Sequence, residues 1–582
     1  MPRLWTARPQ LPPRAAGQHG AFRHGSCYLL RTAKQEPRMT PLPKQGVNVN
    51  RHDVSSVGPA VRISFLVAVL AATMCAAGQI PAPSRATVPP TEVAAAAAES
   101  PLGPPRIFPA HPPVHEDSST AAKATPIEEA IDRCVLVDMA ALDTPGAQVA
   151  VVIDGQLAYQ RGYGYRHRQN GGEVDERTIF RAGSLTKQFT AAAVMQQVEA
   201  GTLNLDDPIT RLVPELHLSG LWSVNSITIW NLLTHTSGFP DNWSEISGSS
   251  DDGALAAWAG RQGAVKLHAP PGSFWNYTNP GYMLAGLAVE RASGVPYRTY
   301  MENNVFAPAG MNSTTFSPST VMATRNFAYG HDRARAGGRE TIYRPDSYDN
   351  AAAAPAGYVF STAADLLRWA SLVMDGGGAV LSPSSAEALQ DRQVYMDYTP
   401  DLYYGFGLVS QTYKGLDIRW HDGSIPGWGS VLLWAPQQRF AVALLANTSE
   451  PLYNAMFCIV DAVLQPEDVA PPDYSTDPAT WGRYTGTYVF SDYLGDAFEG
   501  KVSLKGDTLS VTFVDPESPG APYTAPLVQA YLDTFLFDAN GDDVPDMELT
   551  FVRSSQVTMR TRWVRNRFAV GERSNIPRRT LP

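Results

Sequence analysis

The chain has 582 residues, of which 44% are apolar and 18% are charged, so it is too hydrophobic to be disordered throughout and has enough apolar sequence for a large core. Its 46 Lys and Arg against 56 Asp and Glu give a net charge of −10, which argues against nucleic acid as a partner. The charge is uneven. Residues 1–62 carry ten basic and two acidic side chains, which leaves 36 basic and 54 acidic side chains for the remainder.

The long apolar run at residues 63–77 predicts export. Its fifteen residues are fewer than the roughly twenty that a membrane-spanning helix needs, and Arg62 precedes them as the basic residue of a signal peptide would. We therefore predict a leader over residues 1–78 and a periplasmic or secreted protein without a transmembrane anchor after cleavage. An uncleaved anchor and lipidation at Cys75 are the alternatives, although Met74 is bulkier than the small residue that lipidation favours.

Composition predicts the domain boundaries. Residues 79–124 are rich in Pro and Ala without periodicity, which is typical of a disordered linker. A second Pro-rich segment, at residues 465–478, ends the helical patterning. We therefore expect one large domain over residues 125–470 and a small β-domain over residues 475–575.

In the large domain, strand patterns lie near both ends and helix patterns lie between them. The predicted elements, in chain order, are strands at 148–154 and 156–163 joined by an Asp154-Gly155 turn, a helix at 184–200, strands at 431–434 and 440–446, and a helix at 455–464. This order predicts an α/β or α+β domain whose sheet is assembled from distant parts of the chain.

The first chemical signal is Ser184 with Lys187, three residues apart at the start of the predicted helix and therefore on one face. A helix N-terminus favours the developing alkoxide of a serine, and a buried lysine with a lowered pKa can accept its proton. The same spacing also arises by chance, with a capping serine and a solvated lysine.

The second signal is the string Tyr277-Thr278-Asn279, which precedes a Pro-Gly turn and an apolar helix pattern. A tyrosine can act as a base if a neighbouring ammonium lowers its pKa from about 10. The alternative for Tyr277 is an ordinary packing aromatic.

The third signal is the string His421-Asp422-Gly423-Ser424, which precedes a strand. Glycine at position 423 allows close approach of a substrate backbone, and the next amide can donate a hydrogen bond to an oxyanion. Taken alone, His421 is also typical of a hydrogen-bonded structural residue.

Together and in this order, the three strings resemble the serine β-lactamase-like family, which includes class C β-lactamases, D-alanyl-D-alanine carboxypeptidases, D-aminopeptidases and related esterases. Four further strings agree with the resemblance, which covers about residues 125–465: Phe180-Arg181-Ala182-Gly183, Leu205-Asp206-Asp207-Pro208, Leu232-Leu233-Thr234-His235-Thr236-Ser237-Gly238 and Pro355-Ala356-Gly357-Tyr358. The resemblance implies a β-lactamase-like transpeptidase fold, in which helices and a helical subdomain flank an antiparallel sheet. It also implies serine hydrolase chemistry without a metal or cofactor.

The resemblance gives each residue of the strings a role. It implies that Ser184 is the nucleophile that forms an acyl-enzyme, that Lys187 activates it, and that Tyr277 shuttles the proton to the leaving group. The other candidates line the site: His421 as a catalytic residue of the opposite wall, Asn279, Asp422 and Gly423 as substrate-binding residues, and the backbone amides of Ser184 and Ser424 as the oxyanion hole. His235 matches a string outside the catalytic set and is interpreted as structural.

One departure from the family bears on the substrate. Penicillin-binding members have Lys-Thr-Gly where this chain has His421-Asp422-Gly423, and a desolvated Asp would repel a substrate carboxylate by up to a few kcal/mol. We therefore expect weak or no β-lactamase activity and a small peptide or ester substrate, with a D-amino-acid peptidase or amidase and a carboxylesterase equally favoured. The alternatives are a penicillin-binding D-alanyl-D-alanine carboxypeptidase or β-lactamase, and a slowly acylating or non-catalytic binding or sensor protein.

The C-terminal region shows short strand patterns separated by turn residues. They lie at residues 486–489, 502–504, 508–514, 534–537 and 547–552 and predict a small antiparallel barrel or sandwich. The opening string, residues 481–488, resembles the start of a lipocalin-like accessory domain. Residues 538–546 imitate the first positions of a calcium loop but lack its glycine and its glutamate, so we predict a hairpin there and no metal site.

Removal of the leader would leave two of the four cysteines, Cys134 and Cys458. In the resembled fold the first and last helices, which carry these residues, pack side by side. The resemblance therefore implies a disulfide formed in an oxidising compartment. The alternative is two separately buried thiols, and the sequence gives no indication of the oligomeric state.

Overall fold

A computed structural model describes residues 125–573, with gaps at 221, 242–248, 274, 334–339, 348, 397–400, 468, 470–475, 492–496, 515–522, 532, 538–546, 554–556 and 564–566. The predicted leader, the linker and the calcium-like string lie outside the described residues. Among the helices that are described, none combines the length and the apolar character needed to cross a membrane.

The large domain contains thirteen described strands and eleven α-helices. The strands are β1 Gly146–Ile153, β2 Gln156–His167, β3 Gly171–Glu173, β4 Phe180–Arg181, β5 Gly330–Arg333, β6 Glu340–Tyr343, β7 Phe360–Ser361, β8 Val394–Tyr395, β9 Tyr403–Tyr404, β10 Val409–Tyr413, β11 Leu416–Ile425, β12 Trp428–Ala435 and β13 Phe440–Ala446. The helices are α1 Pro126–Ala141, α2 Thr186–Glu199, α3 Ile229–Leu233, α4 Ala254–Ala259, α5 Asn279–Ser293, α6 Tyr297–Met301, α7 Pro318–Thr324, α8 Ala354–Gly357, α9 Ala363–Met374, α10 Pro383–Gln390 and α11 Tyr453–Leu464. Short 3₁₀ segments lie at Gly183–Leu185, Ile209–Arg211, Val224–Ser226, Gln262–Ala264 and Pro436–Gln438, and a π-helical turn lies at Glu302–Phe306.

One antiparallel sheet with the strand order β3-β2-β1-β13-β12-β11-β10-β9-β8 organises this domain. β1 pairs with β13 from Ala147 opposite Ala446 to Val152 opposite Ala441, so the two ends of the domain meet at the centre of the sheet. The predicted hairpin between the first two strands is confirmed. Asp154 and Gly155 both have positive φ, at 52° and 78°, as the two central residues of a type I′ turn require.

Helices cover both faces of the sheet. One face packs against α1 and α11, and the other packs against α9, beyond which α2, α5 and α8 pack on one another in a helical subdomain. This arrangement agrees with the predicted antiparallel sheet flanked by helices. The sheet strands are buried on both faces, which is why β13 reads as a continuous apolar run rather than an alternating one.

The predicted helix at 184–200 begins later than the sequence pattern suggests. Residues Gly183–Leu185 form a 3₁₀ turn, and the α-helix α2 starts at Thr186. Gly183 has a φ of +52°, a conformation that glycine adopts without the steric cost of a side chain. The chain therefore leaves β4 through a tight turn that carries Ser184, and Lys187 lies in the first turn of the helix.

The C-terminal region forms a second antiparallel sheet of nine strands. They are β14 Gly486–Ser491, β15 Ala497–Lys505, β16 Thr508–Val514, β17 Tyr523–Pro526, β18 Val528–Tyr531, β19 Thr534–Phe537, β20 Met547–Arg553, β21 Val557–Trp563 and β22 Arg567–Arg573, after a 3₁₀ segment at Pro478–Tyr484. Their order is β17-β16-β15-β14-β22-β21-β20-β19-β18. The outer strands β17 and β18 are consecutive in the chain and separated only by Leu527. The antiparallel strand structure predicted for this region is thus confirmed, while its boundaries as a domain, a closed barrel and the lipocalin-like identity stay predictions.

A disulfide joins α1 to α11. Cys134 and Cys458 are bonded with their Cα atoms 5.7 Å apart, as the resemblance implied. A buried polar contact lies on the same two helices, where the Asp138 carboxylate accepts hydrogen bonds from the backbone N–H of Ala455 at 2.9 Å and from Asn454 at 3.0 Å. The covalent and polar contacts together tie the two termini of the domain to one face of the sheet.

Reduction of this disulfide is expected to destabilise the large domain by about 2–4 kcal/mol, because the bond closes a loop of more than 300 residues in the unfolded chain. Denaturant unfolding with and without reductant measures the difference. The double variant Cys134→Ala/Cys458→Ala is the control, since reductant should leave its unfolding unchanged. Identical unfolding of the wild type under both conditions would contradict the prediction.

Candidate active site

Two glycines bring the predicted oxyanion amides together. A Cβ atom added to Gly183 would lie 2.9 Å from the backbone nitrogen of Ser424, and one added to Gly423 would lie 2.9 Å from that of Ser184. The Gly423 position is also only 2.2 Å from the carbonyl oxygen of Ala182. Only two chain segments without side chains at these positions can approach so closely.

Lys187 contacts the nucleophile directly. In its ammonium form, Nζ donates hydrogen bonds to Ser184 Oγ at 3.0 Å, to Asn279 Oδ1 at 2.8 Å and to the carbonyl oxygen of Ala356 at 2.6 Å. The side chain has no solvent exposure. This burial lowers the pKa of Lys187 to about 7, although the carboxylates of Asp241 and Asp422 oppose the shift. Near neutral pH a large fraction of Lys187 is therefore an uncharged amine that can accept the Ser184 proton.

Tyr277 is the second group on the nucleophile. It lies in the loop before α5, as predicted, and its hydroxyl donates to Ser184 Oγ at 2.9 Å. The expectation that a neighbouring ammonium lowers its pKa is wrong for this site. Burial raises the pKa of Tyr277 well above its usual value, Asp422 and Asp241 raise it further, and the hydrogen bond with Ser184 opposes these effects only in part. Tyr277 therefore keeps its proton, and Lys187 is the resting base.

Asn279 holds Lys187 in place. The Asp241 carboxylate accepts hydrogen bonds from the backbone N–H of Asn279 at 2.8 Å and from its side-chain amide at 2.9 Å. These bonds turn the amide oxygen of Asn279 toward Lys187. With 3% of its surface exposed, Asn279 is almost completely buried beside Lys187, and the substrate-binding role that the resemblance implied stays a prediction.

Sequence reasoning missed Asp241 and the Ala356 carbonyl as parts of the site. Asp241 follows the string that ends at Gly238 by three residues, and an acidic residue directly after a Pro was the one available signal. The Ala356 carbonyl is backbone and has no signature in the sequence beyond its place in the Pro355-Ala356-Gly357 string.

The catalytic role predicted for His421 is not supported by its position. Its Nε2 lies 3.0 Å from the Tyr404 hydroxyl, and its Nδ1 donates to the backbone carbonyl of Asp422 at 2.5 Å. Among the hydrogen bonds of the described residues, none connects His421 to Ser184, Lys187 or Tyr277. The imidazole of this β11 residue is buried, and both of its nitrogens are already occupied, so His421 does not lie at the surface of the site.

The other β11 candidates lie at the predicted wall. The Asp422 side chain is 20% exposed and close enough to affect the pKa values of Lys187 and Tyr277. The Ser424 hydroxyl donates to the carbonyl of Ser449 at 2.7 Å, which fixes the end of β11 next to the oxyanion amides. The interpretation of His235 as structural agrees with its complete burial beneath Tyr277, where the two ring centroids are 4.3 Å apart.

The arrangement can therefore transfer an acyl group. An amine base and a phenol proton donor contact the hydroxyl nucleophile, and the backbone nitrogen of Ser424 lies next to the turn that carries it, which is the set of parts that acyl transfer needs. Within the described part of the chain, no group of three or more His, Cys, Asp or Glu side chains is placed to hold a metal ion.

Comparisons with known proteins agree with this geometry. Residues 131–456, more than half of the chain, match the family model described as Beta-lactamase. Penicillin-binding protein 4 of Amycolatopsis lactamdurans is 31% identical over 359 residues, which cover 59% of this chain and 93% of that protein. The crystal structure of SurE is 26% identical with a TM-score of 0.59 and covers 77% of this chain and 99% of that one. The D-amino acid amidase of Ochrobactrum anthropi SV3, solved with L-phenylalanine amide, is 25% identical with a TM-score of 0.50, over 59% of this chain and 98% of that one.

Replacement of Lys187 by Met tests the origin of its lowered pKa. Below pH 7 the buried ammonium reduces wild-type stability, and this cost disappears as the pH rises toward the ordinary lysine pKa of 10.5 because the unfolded lysine then also loses its proton. The free energy of unfolding of Lys187→Met, relative to wild type, should therefore fall by about 1.4 kcal/mol per pH unit between pH 7 and 10. Denaturant unfolding over this range measures it.

The exposed substitution Lys505→Met is the matched control. A relative stability of Lys187→Met that does not change with pH would show that Lys187 titrates normally and would contradict the prediction.

Proposed function

The chain belongs to the beta-lactamase family of serine hydrolases, and we propose that it is an exported enzyme that cleaves a small amide, peptide or ester substrate through an acyl-enzyme. The observation that carries the proposal is the contact of one hydroxyl with two proton-transfer groups. Lys187 Nζ and the Tyr277 hydroxyl lie 3.0 Å and 2.9 Å from Ser184 Oγ, and burial lowers the pKa of the lysine to about 7.

In the first half of the proposed reaction, Ser184 Oγ forms a bond to the substrate carbonyl carbon while neutral Lys187 takes its proton. The charge that develops on the carbonyl oxygen is stabilised by the backbone amides of Ser184 and Ser424. When the bond to the leaving group breaks, Tyr277 donates a proton to the departing nitrogen or oxygen and is reprotonated at the expense of Lys187. The net movement is one proton, from Ser184 to the leaving group.

In the second half, water replaces the leaving group. Lys187 and Tyr277 together accept a proton as the water oxygen bonds to the acyl carbon, and the released Ser184 oxygen takes a proton back. The two groups return to their starting states, so the cycle needs only water as co-reactant. Each role requires a proton-transfer group with a pKa near the working pH, which Lys187 supplies.

The proposed substrate lacks a carboxylate beside the scissile bond. Asp422 occupies the position where the hydroxyl of penicillin-binding members holds that group, and its negative charge is close enough to act on Lys187 and Tyr277. The likeness to D-amino acid amidase supports an amide substrate, because the molecule solved with that enzyme carries an amide in place of a carboxylate. The likeness to penicillin-binding protein 4 supports penicillin acylation as the competing possibility.

Export is part of the proposal because of the disulfide and the leader. The bond between Cys134 and Cys458 fits an oxidising compartment. The apolar run at residues 63–77 has the length of a signal-peptide core.

Intact-mass labelling tests the chemistry. A fluorophosphonate should add one adduct to the wild type and none to Ser184→Ala, while a penicillin should label the wild type slowly or not at all. Absence of a fluorophosphonate adduct on the wild type would contradict the acyl-enzyme. Penicillin turnover with an efficiency of about 10⁵ M⁻¹s⁻¹ or more would contradict the substrate assignment.

Asp422→Thr is the matched variant for the substrate assignment. Removal of the negative charge should raise the ratio of penicillin to fluorophosphonate labelling rates by about tenfold or more, because like-charge repulsion of the substrate carboxylate is lost. An unchanged ratio would show that Asp422 does not face that group.

A further inference from the structure

His235 holds the loop that carries Tyr277 from both sides. The backbone N–H of Asn276 donates to the His235 carbonyl at 2.7 Å, and that of Thr278 donates to His235 Nδ1 at 3.1 Å. The two amides that flank Tyr277 are thus bound to one residue, whose ring also packs on the tyrosine ring. His235 itself has a φ of 56°, which is uncommon for a residue with a side chain and persists only where the surroundings enforce it.

Tyr404 connects His235 to the opposite wall of the site. Its hydroxyl lies 3.2 Å from His235 Nε2 and 3.0 Å from His421 Nε2, and the His421 Nδ1 contacts the carbonyl of Asp422. The three side chains expose 2% of their surface or less. Asp422 directly precedes Gly423 and Ser424, so the series of bonds runs from the Tyr277 loop to the strand that carries the oxyanion amide.

In each hydrogen bond of this series, the donor is the group nearer to Thr278 and the acceptor is the group nearer to Asp422. His235 Nδ1 accepts from Thr278, so its Nε2 carries the proton and donates to the Tyr404 oxygen. His421 Nδ1 donates to a carbonyl, so its Nε2 accepts from the Tyr404 hydroxyl. Burial lowers the pKa of both imidazoles, which keeps each of them neutral with a single proton. Each contact between Tyr404 and one of the two histidines then has one donor and one acceptor.

We propose that Tyr404 is a positioning residue that sets the distance between the proton donor Tyr277 and the oxyanion strand β11. Tyr404 makes none of the hydrogen bonds to Ser184 described above, and it is not one of the groups that would contact a substrate carbonyl. The inference rests on the proposed function, because positioning matters only if Tyr277 and the Ser424 amide act on the same substrate. A displacement of reacting groups by about 1 Å can reduce a rate about 100-fold.

Tyr404→Phe tests the inference, because it removes both hydrogen bonds and keeps the buried ring. The second-order rate of fluorophosphonate labelling and the kcat for a p-nitrophenyl ester should fall by about 10- to 100-fold, with KM changed by less than about threefold. His421→Leu removes the next link of the same series. Its labelling rate should fall by a similar factor, and the double variant should lose little more, because the links act as one unit.

Tyr163→Phe is the matched control. The Tyr163 hydroxyl also makes two hydrogen bonds, a partly buried one to Asp132 at 2.8 Å and a buried one with Tyr159 at 2.7 Å, but it lies on the sheet face that packs against α1. Both Tyr→Phe variants should lower the thermal stability by similar amounts, while only Tyr404→Phe slows labelling.

The outcomes separate this inference from the proposed function. If the wild type is not labelled, the proposed function fails. If the wild type is labelled and Tyr404→Phe is labelled equally fast, or if Tyr163→Phe slows labelling as much, the proposed function stands and the positioning role of Tyr404 is overturned.

Discussion

The chemistry proposed for this protein depends on one lysine ammonium that the fold removes from water. Lys187 has no solvent exposure, and the desolvation of its charge brings its pKa to the range where an amine accepts protons at neutral pH. Two carboxylates, Asp241 and Asp422, lie near enough to limit the shift without reversing it. Burial raises the pKa of the neighbouring Tyr277 instead, so this side chain keeps its proton. One environment therefore produces a base and a proton donor on the same serine.

The fold creates this environment from distant segments. β1 and β13, from the two ends of the domain, pair at the centre of the sheet. The two glycines bring the Ser184 turn against β11. Helices α5 and α8 supply the hydrogen-bond partners of Lys187. The series from His235 through Tyr404 to His421 then joins the loop of the proton donor to the sheet. The burial of Lys187 lowers the stability of the large domain. The disulfide and the polar contacts between α1 and α11 stabilise the same domain, which therefore tolerates the buried lysine.

The sequence predicted those parts of the site that are local. The spacing of Ser184 and Lys187, the position of Tyr277 before a helix and the turn at Asp154-Gly155 all follow from neighbours in the chain. The roles of Asp241 and Tyr404 could not be predicted, because Asn279 lies 38 residues from Asp241, His235 lies 169 residues from Tyr404, and neither residue stands in a recognisable chemical pattern. The pKa of Tyr277 was predicted in the wrong direction for the same reason, since a sequence shows which charges are near in the chain but not how completely a side chain is buried. The pairing of Cys134 with Cys458 came from the resemblance and not from spacing.

The most direct test of this account is the pH dependence of the rate at which a fluorophosphonate labels Ser184. With Lys187 as the base, the rate should be lost as the pH falls through about 7, follow a single ionisation and stay constant from pH 8 to 9, because the neutral amine is the active form. A rate that shows no change near pH 7 and increases only as the pH approaches 10 would mean that an ordinary lysine or the tyrosinate is the base. That result would contradict the central claim that burial of Lys187 activates the serine.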